Sequence, residues 1–539
     1  MTRSISFARV LLALLAGVWL AGCSDSDGYD DVLRFGDTWA VTSGNRLIGF
    51  NENNPGQPRR VLSLFGLQGG EQLLAIDFRP ADGRLYGLGS TGRIYQLDIR
   101  NGAASFVCRL SATGTGLSGA DFGMDFNPVA DRLRIVSDAE QNLRVELTAG
   151  AGGVCNTAAA DSALAPAGAV VAVAYANSLA GASATTLFGI DSASDALVRI
   201  GADPAAGGAC PGATGNPNCG VVTPVGSLGV DASGLAGFDI DGANDHAVAA
   251  LNVGGVSQLY TINLASGAAT LRGAIGGGET IRGLSRVPAE ARVFGVTDTN
   301  ALVSFAPGAP QTVTSVGAIA GLQAGEAVVG LDFRPADGEL YALGSTGRVY
   351  RLSTATGGVV ATRTLAADPA DTSSPFTGLT GTAFGLDFNP VADRLRVVSE
   401  QEQNLRINVD SAQGVTTDGN LAPAGNVVAA AYTSNFDGAG ATQLFVIDSG
   451  DDSLKLQNPP NDGTLVSPLP LGVAVEDSAL NAFDIAGGRN GLVLAALRVG
   501  GQSNLYSVNL ATGAATQITA GPIGGATPLN LRGLAIRIE

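Results

Sequence analysis

Two long segments of this chain occur twice, once in each half. LAIDFRPADGRLY at 74–86 returns as VGLDFRPADGELY at 329–341, and FGMDFNPVADRLR at 122–134 returns as FGLDFNPVADRLR at 384–396. A repeat that spans both halves constrains the architecture more than any local motif, because each copy has to fold into the same kind of unit. The sequence therefore predicts two structurally equivalent halves.

Short apolar runs separated by turn residues fill both halves and predict β-strands rather than helices. The clearest unit is residues 73–110, where we predict four strands at 74–78, 84–88, 93–98 and 104–110. Four antiparallel strands in about 40 residues have the size of one β-propeller blade. This rhythm can be followed five times in each copy, so we predict an all-β, β-propeller-like protein.

Each copy ends in a lone apolar strand, IRGL at 281–284 and LRGL at 531–534, and two closures fit this pattern. If 281–287 pairs back to 39–50, the chain forms two tandem five-bladed units. If it pairs forward with 292–305, the chain forms a single ten-bladed ring that 531–538 closes. Either closure removes an open sheet edge. We favour two domains, at 38–289 and 290–539, and keep the single ring as the alternative.

The first residues have the pattern of a bacterial lipoprotein signal peptide at 1–22. Basic residues precede an apolar run at 10–21 that is too short to span a membrane. The run ends in LAGC, which resembles the lipobox of bacterial lipoproteins. The resemblance implies cleavage before Cys23 and lipid attachment there, and the alternative is an ordinary signal peptide followed by a free cysteine.

Residues 23–37, rich in Asp and Gly, read as a tether between the lipid and the first domain. The lipid chains are then the contact with the membrane. Ser24 follows the cysteine, and in lipoproteins an Asp at that position tends to signal retention in the inner membrane. We therefore expect a protein of the bacterial cell envelope, on the periplasmic or surface side of the outer membrane.

The formal net charge of −17 argues against nucleic acid as a partner and against binding to an anionic membrane surface. A small-molecule, glycan or protein ligand remains open.

Four cysteines remain after Cys23, an even number that suits an oxidising compartment. Cys108 and Cys155 both lack a counterpart in the second copy, and Cys210 and Cys219 lie together in an insertion that only the first copy has. We therefore predict the disulfides Cys108–Cys155 and Cys210–Cys219. A zinc site is the rival interpretation, but the cysteine spacings do not match and no histidine is near.

Most catalytic chemistries lack their residue types in this chain. His246 is the only histidine, which leaves almost nothing for Ser-His-Asp catalysis or a histidine metal site, and we expect it to be a turn residue. The Gly276-Gly277-Gly278 run lies among β-turns rather than between a strand and a helix, so it does not predict a phosphate loop. We predict no cofactor and no catalytic residues, and the sequence leaves metal binding open.

Carboxylates on the predicted inner strands are the remaining candidates for a site. In a propeller the inner strands surround the central channel, so these side chains would form a ring of carboxylates with one arginine in each copy. The candidate residues are Asp77, Asp125, Asp239 and Arg282 in the first copy, and Asp332, Asp387, Asp484 and Arg532 in the second.

These aspartates admit three interpretations, of which we favour a structural one. Each can accept hydrogen bonds from backbone N–H groups of the next blade, or pair with Arg79 or Arg334, since a buried carboxylate has to be satisfied. The channel can instead bind a cation or polar ligand. Paired carboxylates can also act as acid and base or nucleophile on a glycoside.

Long segments between predicted blades are the better candidates for a binding surface, since loops on a rigid scaffold often carry function. They are residues 111–119, 155–168, 201–234, 366–382 and 457–478.

The DFRPADG and DFNPVADRLR segments resemble a bacterial family known as domain of unknown function 4394, found in secreted proteins. The similarity covers nearly all of residues 45–287 and 294–537. The resemblance implies a secreted repeat protein and brings no activity with it.

The sequence thus predicts a lipid-anchored envelope protein that acts as a non-catalytic binding or structural module. The alternatives are a carboxylate-dependent hydrolase of a glycan or similar polymer, and a scaffold or sensor in an envelope complex.

Overall fold

A computed structural model describes residues 35–111, 116–201, 216–411, 413–488 and 490–538. The predicted signal peptide, Cys23, most of the tether and Cys210 lie outside these residues. The described chain forms ten four-stranded antiparallel sheets, five in each half. In the same residues, no helix has the length and apolarity needed to cross a membrane.

The first half contains twenty strands, and the strand pattern predicted for residues 73–110 is present. They are β1 (Thr38–Thr42), β2 (Arg46–Phe50), β3 (Arg60–Ser63), β4 (Leu73–Arg79), β5 (Arg84–Gly89), β6 (Arg93–Leu97), β7 (Ala104–Arg109), β8 (Phe122–Asn127), β9 (Arg132–Ser137), β10 (Asn142–Ala149), β11 (Cys155–Ala160), β12 (Val170–Tyr175), β13 (Leu187–Asp191), β14 (Ala196–Ile200), β15 (Val222–Ser227), β16 (Ala236–Ile240), β17 (Ala247–Val253), β18 (Val256–Ile262), β19 (Ala269–Ala274) and β20 (Ile281–Arg286).

The second half repeats this order. Its strands are β21 (Ala291–Thr297), β22 (Ala301–Phe305), β23 (Thr314–Ala318), β24 (Val328–Phe333), β25 (Leu340–Gly344), β26 (Arg348–Leu352), β27 (Val359–Thr364), β28 (Phe384–Asn389), β29 (Arg394–Ser399), β30 (Asn404–Ile407), β31 (Val415–Thr417), β32 (Val427–Tyr432), β33 (Leu444–Asp448), β34 (Ser453–Gln457), β35 (Leu465–Pro470), β36 (Ala482–Ala486), β37 (Leu492–Val499), β38 (Gln502–Val508), β39 (Ala515–Gln517) and β40 (Leu531–Ile538). Short 3-10 turns lie at Ala151–Gly153, Pro217–Cys219, Gly276–Gly278 and Pro460–Asp462.

The last strand of each half closes that half. Strand β20 pairs with β1, which places Ser285 opposite Trp39, and the sheet order is β20-β1-β2-β3. Strand β40 pairs with β21 in the same way, and its sheet order is β40-β21-β22-β23. The chain therefore forms two tandem five-bladed propellers, here called the first and second rings, and not the single ten-bladed ring.

The innermost strand of each sheet contacts the innermost strands on both sides. In the first ring the contacts run from β4 to β8, β12, β16, β20 and back to β4. In the second they run from β24 to β28, β32, β36, β40 and back to β24. Each ring is thus a closed circle around one axis.

Small residues let the inner strands approach each other. A Cβ added at Gly123 would lie 2.7 Å from the Ala172 Cα of the next blade, and one added at Gly385 would lie 2.5 Å from the Ala429 carbonyl carbon. Because real Cβ atoms do not approach that closely, these positions accept no side chain unless the neighbouring blade shifts.

Apolar side chains between neighbouring blades form the core. Tyr86 and Phe126 of adjacent blades meet edge to face with ring centroids 5.4 Å apart. Tyr341 and Phe388 repeat this contact at 5.3 Å in the second ring. Aromatic pairs in this geometry contribute about 0.5–1.5 kcal/mol beyond area burial, so the repeated motif preserves a packing contact between blades.

The two rings also contact each other. Leu179, in the loop after β12, is fully buried and belongs to one apolar cluster with Leu492 and Leu531 of the second ring. The Ser183 N–H donates to the Gly491 carbonyl at 2.8 Å. The loop between β12 and β13 thus anchors the first ring to the second.

Three of the predicted long connectors contain a strand, contrary to the prediction that they are loops. Strands β11, β15 and β35 lie within the segments predicted as loops at 155–168, 201–234 and 457–478. They are the outermost strands of their blades, and the residues of β15 and β35 are mostly half-buried or exposed. An outermost strand therefore lacks the alternating apolar pattern that identifies an inner one.

Cys108 in β7 and Cys155 in β11 form a disulfide with Cα atoms 5.0 Å apart. It joins the outermost strands of two neighbouring blades, as the repeat comparison led us to expect. Cys219 is also disulfide-bonded, and its predicted partner Cys210 lies outside the described residues.

Candidate functional site

The structure brings the six predicted aspartates together in two groups of three, one in each ring. In each group, one carboxylate oxygen per residue lies within 4.8 Å of the others, and no aspartate is more than 4% exposed. The first triad is Asp77 of β4, Asp125 of β8 and Asp239 of β16, and the second triad is Asp332 of β24, Asp387 of β28 and Asp484 of β36.

Strand alternation explains why these side chains face the next blade. Residues two apart in a strand point to the same face. Gly123 stands two residues before Asp125, and Gly385 two residues before Asp387. The glycine allows close approach of the next blade, and the aspartate then reaches that blade's backbone.

The aspartates accept hydrogen bonds from backbone N–H groups of the neighbouring blade. In the first ring, Phe126 N–H donates to Asp77 at 2.8 Å and Tyr175 N–H donates to Asp125 at 3.1 Å. Asp239 accepts from Arg286 N–H at 2.6 Å.

The second ring repeats this pattern in part. Phe388 N–H donates to Asp332 at 2.7 Å, and Ile536 N–H donates to Asp484 at 2.6 Å. The geometry thus agrees with one of the two structural interpretations of the sequence, the bond from aspartate to the adjacent blade.

The other structural interpretation, a pair between an inner aspartate and Arg79 or Arg334, is wrong. Arg79 Nε donates to Asp131 at 2.7 Å, and Arg334 Nε donates to Asp393 at 2.7 Å. Both arginines lie at or just beyond the ends of their strands, where the guanidinium meets surface carboxylates of the following blade instead of the triad.

Burial raises the pKa of all three aspartates of the first triad. The pKa values of Asp77 and Asp125 lie well above the ordinary range, because burial disfavours the charged form and neighbouring carboxylates repel it. Burial raises the pKa of Asp239 to about 6, and backbone N–H groups and the charge of Arg286 oppose a larger rise. The first triad therefore binds protons at a pH where exposed aspartates are ionised.

The second triad has the same tendency. Burial and mutual repulsion raise the pKa values of Asp332 and Asp387 well above the ordinary range, and burial raises the pKa of Asp484 to about 6. The Asn435 side chain, in the loop after β32, lies close enough to favour the ionised form of Asp484.

Ser285 completes the first triad and was not among the predicted site residues. Its hydroxyl lies 2.8 Å from Asp77 Oδ1 and 3.0 Å from Asp239 Oδ2, and it accepts from Phe78 N–H at 3.0 Å. The signal was its position, since Ser285 stands in the last inner strand at the level where other inner strands carry aspartate.

Arg282 and Arg532 do not join the triads, contrary to the predicted ring of carboxylates with one arginine. Arg282 stands three residues before Ser285 in β20, or about 10 Å along the strand, and Arg532 has the same place in β40. Arg282 instead lines a cavity with Asp121 at the other end of the first ring. A second cavity, between the inner strands, accommodates about one water-sized sphere, and Arg282 lines this cavity too.

His246 borders a turn, as expected, and also takes part in an ionic cluster that the sequence did not indicate. Its Nε2 lies 2.7 Å from Glu52 Oε1, and Arg286 Nη1 lies 2.7 Å from Glu52 Oε2. Burial opposes ionisation of Glu52, but His246 and Arg286 outweigh it and lower the Glu52 pKa to about 2. The cluster stabilises the connection between the first and last blades of the first ring.

A buried arginine network recurs in both rings and was also missed. Arg134 is 2% exposed and donates to Asp161 at 2.6 Å, to Asn142 at 2.7 Å and to Asn218 of the next blade at 2.6 Å. The second ring repeats it with contacts of 2.7 Å from Arg396 to Asp418, Asn404 and Asn461. Each guanidinium donates both to side chains of its own blade and to an asparagine of the next blade, so the network joins neighbouring blades.

Solved structures that match this chain share little sequence with it. Virginiamycin B lyase from Staphylococcus aureus is 10% identical over 70% of this chain and 91% of its own, with a TM-score of 0.24. Glutaminyl cyclase from Myxococcus xanthus is 16% identical over 39% and 69%, with a TM-score of 0.23. The β-propeller domain of Myceliophteria thermophila Cps50 (Swd1) is 9% identical over 84% and 99%, with a TM-score of 0.22.

None of the curated proteins matches the chain. The family described as domain of unknown function DUF4394 matches residues 46–285 and 301–535. These two matches fall on the first and second rings, and the chain belongs to the DUF4394 family, with two tandem copies of its domain.

Proposed function

We propose that this chain is a lipid-anchored protein of the bacterial cell envelope whose two propellers act as a non-catalytic binding or structural module. The observation that carries the non-catalytic part is the use made of the six aspartates. They are at most 4% exposed, and five of the six accept backbone hydrogen bonds. Carboxylates committed in this way hold blades together and are not presented to a substrate.

The size of the first ring's channel supports the same proposal. The cavity between its inner strands accommodates about one water-sized sphere. A glycosidase needs two carboxylates on either side of a bound sugar ring. A cavity of this size has no room for a sugar, which favours the loops outside the first ring's channel as the place where a ligand would bind.

The anchor rests on the LAGC segment at 20–23, and the Cys108–Cys155 disulfide suits the oxidising side of the membrane. The test is to grow cells with a labelled fatty acid and to fractionate them. We expect the wild-type chain to carry label and sediment with membranes, and Cys23→Ser to lose both properties. A wild-type chain without label would contradict the anchor.

Position 24 tests the membrane assignment separately. We expect the wild-type chain in the outer-membrane fraction of a density gradient, and Ser24→Asp in the inner-membrane fraction. A wild-type chain in the inner membrane would contradict the outer-membrane part of the proposal and leave the anchor intact.

Catalysis is tested with a panel of polysaccharides. We expect no turnover by the purified chain, and any binding to survive Asp77→Asn and Asp332→Asn. Turnover that either substitution abolishes while the fold is retained would replace this proposal with the hydrolase.

A further inference from the structure

The two triads differ in the residues that the last inner strand adds to them. Strand β20 supplies Ser285 and Arg286, and β40 supplies Ala535 and Ile536 at the same positions. The second ring therefore lacks both the hydroxyl that bonds Asp77 and Asp239 and the arginine beside Asp239.

The replacement of Ser285 removes the partner of the oxygen that corresponds to Asp332 Oδ1, and within the described residues both oxygens of Asp387 also lack a hydrogen bond of ordinary geometry. Among the described residues, no hydrogen bond of ordinary length and angle reaches Asp332 Oδ1 or either oxygen of Asp387. The Phe333 N–H near Asp332, and the Tyr432 N–H and the Asp484 carboxyl near Asp387, make only weaker contacts with them. Asp387 is 0% exposed and Asp332 1%, so bulk water does not replace the missing partner. Within the described chain, no carboxylate oxygen of the first triad is buried without a hydrogen-bond partner. Buried polar atoms without partners are rare because each costs about 1–3 kcal/mol.

Within the described residues, the second triad also has no positively charged side chain paired with it. In the first ring, Arg286 lies close enough to Asp239 to lower its pKa, and it pairs with Glu52 at 2.7 Å and Asp241 at 3.2 Å. In the part of the second ring that the structure describes, no lysine, arginine or histidine forms an ion pair with Asp332, Asp387 or Asp484.

We propose that the second ring binds a divalent cation between Asp332, Asp387 and Asp484, in the place that the Ser285 hydroxyl occupies in the first ring. The proposed ligands are the buried oxygens of Asp332 and Asp387 that lack a hydrogen bond of ordinary geometry. The aspartates of the first triad have no such oxygens among the described residues. Hard divalent cations bind carboxylate oxygens at about 2.0–2.6 Å, so two ligands across one ion lie about 4–5 Å apart. One carboxylate oxygen from each aspartate of this triad lies within 4.8 Å of the others, which fits that spacing, and the first triad has the same spacing but contains the Ser285 hydroxyl.

Asn435 can supply a further ligand once its amide group turns over, because its N–H₂ group faces Asp484 as a hydrogen-bond donor. Its side-chain oxygen is buried without a partner in the described chain, and its side chain lies beside Asp484. The corresponding residue after β12 in the first ring is Ser178, directly after Asn177. Carboxylate and amide oxygens are the ligand set that Ca²⁺ and Mg²⁺ prefer. The inference concerns the second ring alone and holds whether or not the chain carries a lipid anchor.

The test uses the full chain after treatment with a chelator, titrated separately with Ca²⁺ and Mg²⁺ in a calorimeter and followed by thermal unfolding. We expect a single ion per chain and a rise in Tm with one or both ions, since a ligand that binds only the folded state stabilises it. Asp387→Asn should abolish both effects. Asp125→Asn, the matched change in the first ring, should keep both.

The double substitution Ala535→Ser with Ile536→Arg gives the second ring the residues of the first and tests the proposal if Asp387→Asn does not fold. We expect it to weaken ion binding by about tenfold or more while the chain stays folded by near-UV circular dichroism. The proposal is overturned if neither ion binds, if binding survives Asp387→Asn, or if Asp125→Asn removes it. Unchanged stability of Asp387→Asn without any ion effect would show that protons complete the triad instead.

Discussion

The Ser285 hydroxyl lies 2.8 Å from Asp77 Oδ1, although the two residues are 208 positions apart in the chain. The contact joins the last inner strand of the first ring to the blade that follows it around the circle. The same hydroxyl lies 3.0 Å from Asp239. One side chain therefore links three blades at the point where the ring closes.

Ser285→Ala should destabilise the first ring. The substitution removes a hydroxyl that lies within hydrogen-bond distance of Asp77 and Asp239, donates its one proton to one of them at a time, and accepts from Phe78 N–H. All these groups are buried, and a buried polar group left unpaired costs about 1–3 kcal/mol. Chemical denaturation measures the change in the free energy of unfolding. Ser266→Ala, at an exposed turn, is the control, and equal effects of the two substitutions would contradict the role of Ser285.

Stability of the first ring should fall as the pH rises from about 4 to about 6. Asp239 has a pKa of about 6 in the folded ring, against about 3.9 in an unfolded chain. The folded ring therefore binds more protons than the unfolded chain in this interval. The contribution of Asp239 to the stability is complete below about pH 4 and is lost as the pH rises through about 6. Asp77 and Asp125, whose pKa values are also raised, act in the same direction.

Asp239→Asn should reduce this pH dependence, because the amide stays neutral at every pH. Tm measured between pH 4 and pH 7 gives the slope, and the exposed Asp437→Asn serves as the control. Glu52 changes the stability in the opposite direction. Its pKa is lowered to about 2, so its contribution to the stability is present at higher pH and is lost only as the pH falls below about 4. A slope that Asp239→Asn leaves unchanged would show that other groups set it.

Gly123→Ala should destabilise the first ring by about 1–3 kcal/mol, the usual cost of overpacking. The added Cβ would lie 2.7 Å from the Ala172 Cα, which belongs to the backbone of the next blade and cannot rotate away. Gly69→Ala is the control, because a Cβ there has open space. Thermal unfolding of the two variants should differ, and a neutral Gly123→Ala would mean that the blades can move apart freely.

Asp418→Ala should destabilise the second ring by about 3–5 kcal/mol, because it leaves the buried guanidinium of Arg396 without its carboxylate. The side chains of Arg396 and Asp418 are 2% and 6% exposed. Glu146→Ala, which breaks the more exposed pair with Arg132, should cost about 0–1 kcal/mol. The difference between the two variants in denaturation is the readout, and a mild Asp418→Ala would contradict the structural role of the network.

The repeat and the turn residues were sufficient to predict blades, because an inner or middle strand alternates apolar and small residues that sequence shows directly. The closure was not decided by sequence. The apolar pattern of segment 281–287 fits a pairing with either of the two candidate partners. The pairing of β20 with β1 depends on how the five sheets pack around the axis, which the local sequence does not show. The outermost strands β11, β15 and β35 escaped prediction because they bury too little to carry a pattern.

The aspartates of the site were predicted because each repeats in both copies at the same strand position. Ser285 was missed since its counterpart is Ala535, so the repeat hid it. Glu52 was missed because its partner His246 is 194 positions away. Arg134 lies within the repeated motif, but nothing in the sequence distinguishes a buried arginine from a surface one.

The pairing of β20 with β1 has a consequence for how the protein is made. As the chain emerges from its N-terminus, the edge of β1 has no neighbour until residues 281–286 appear. In a single ten-bladed ring that edge would wait for the C-terminal strand β40 at Leu531–Ile538. Two separate closures shorten the interval in which an open sheet can recruit a wrong partner, and the N-terminal propeller can be complete before the other half has been synthesised.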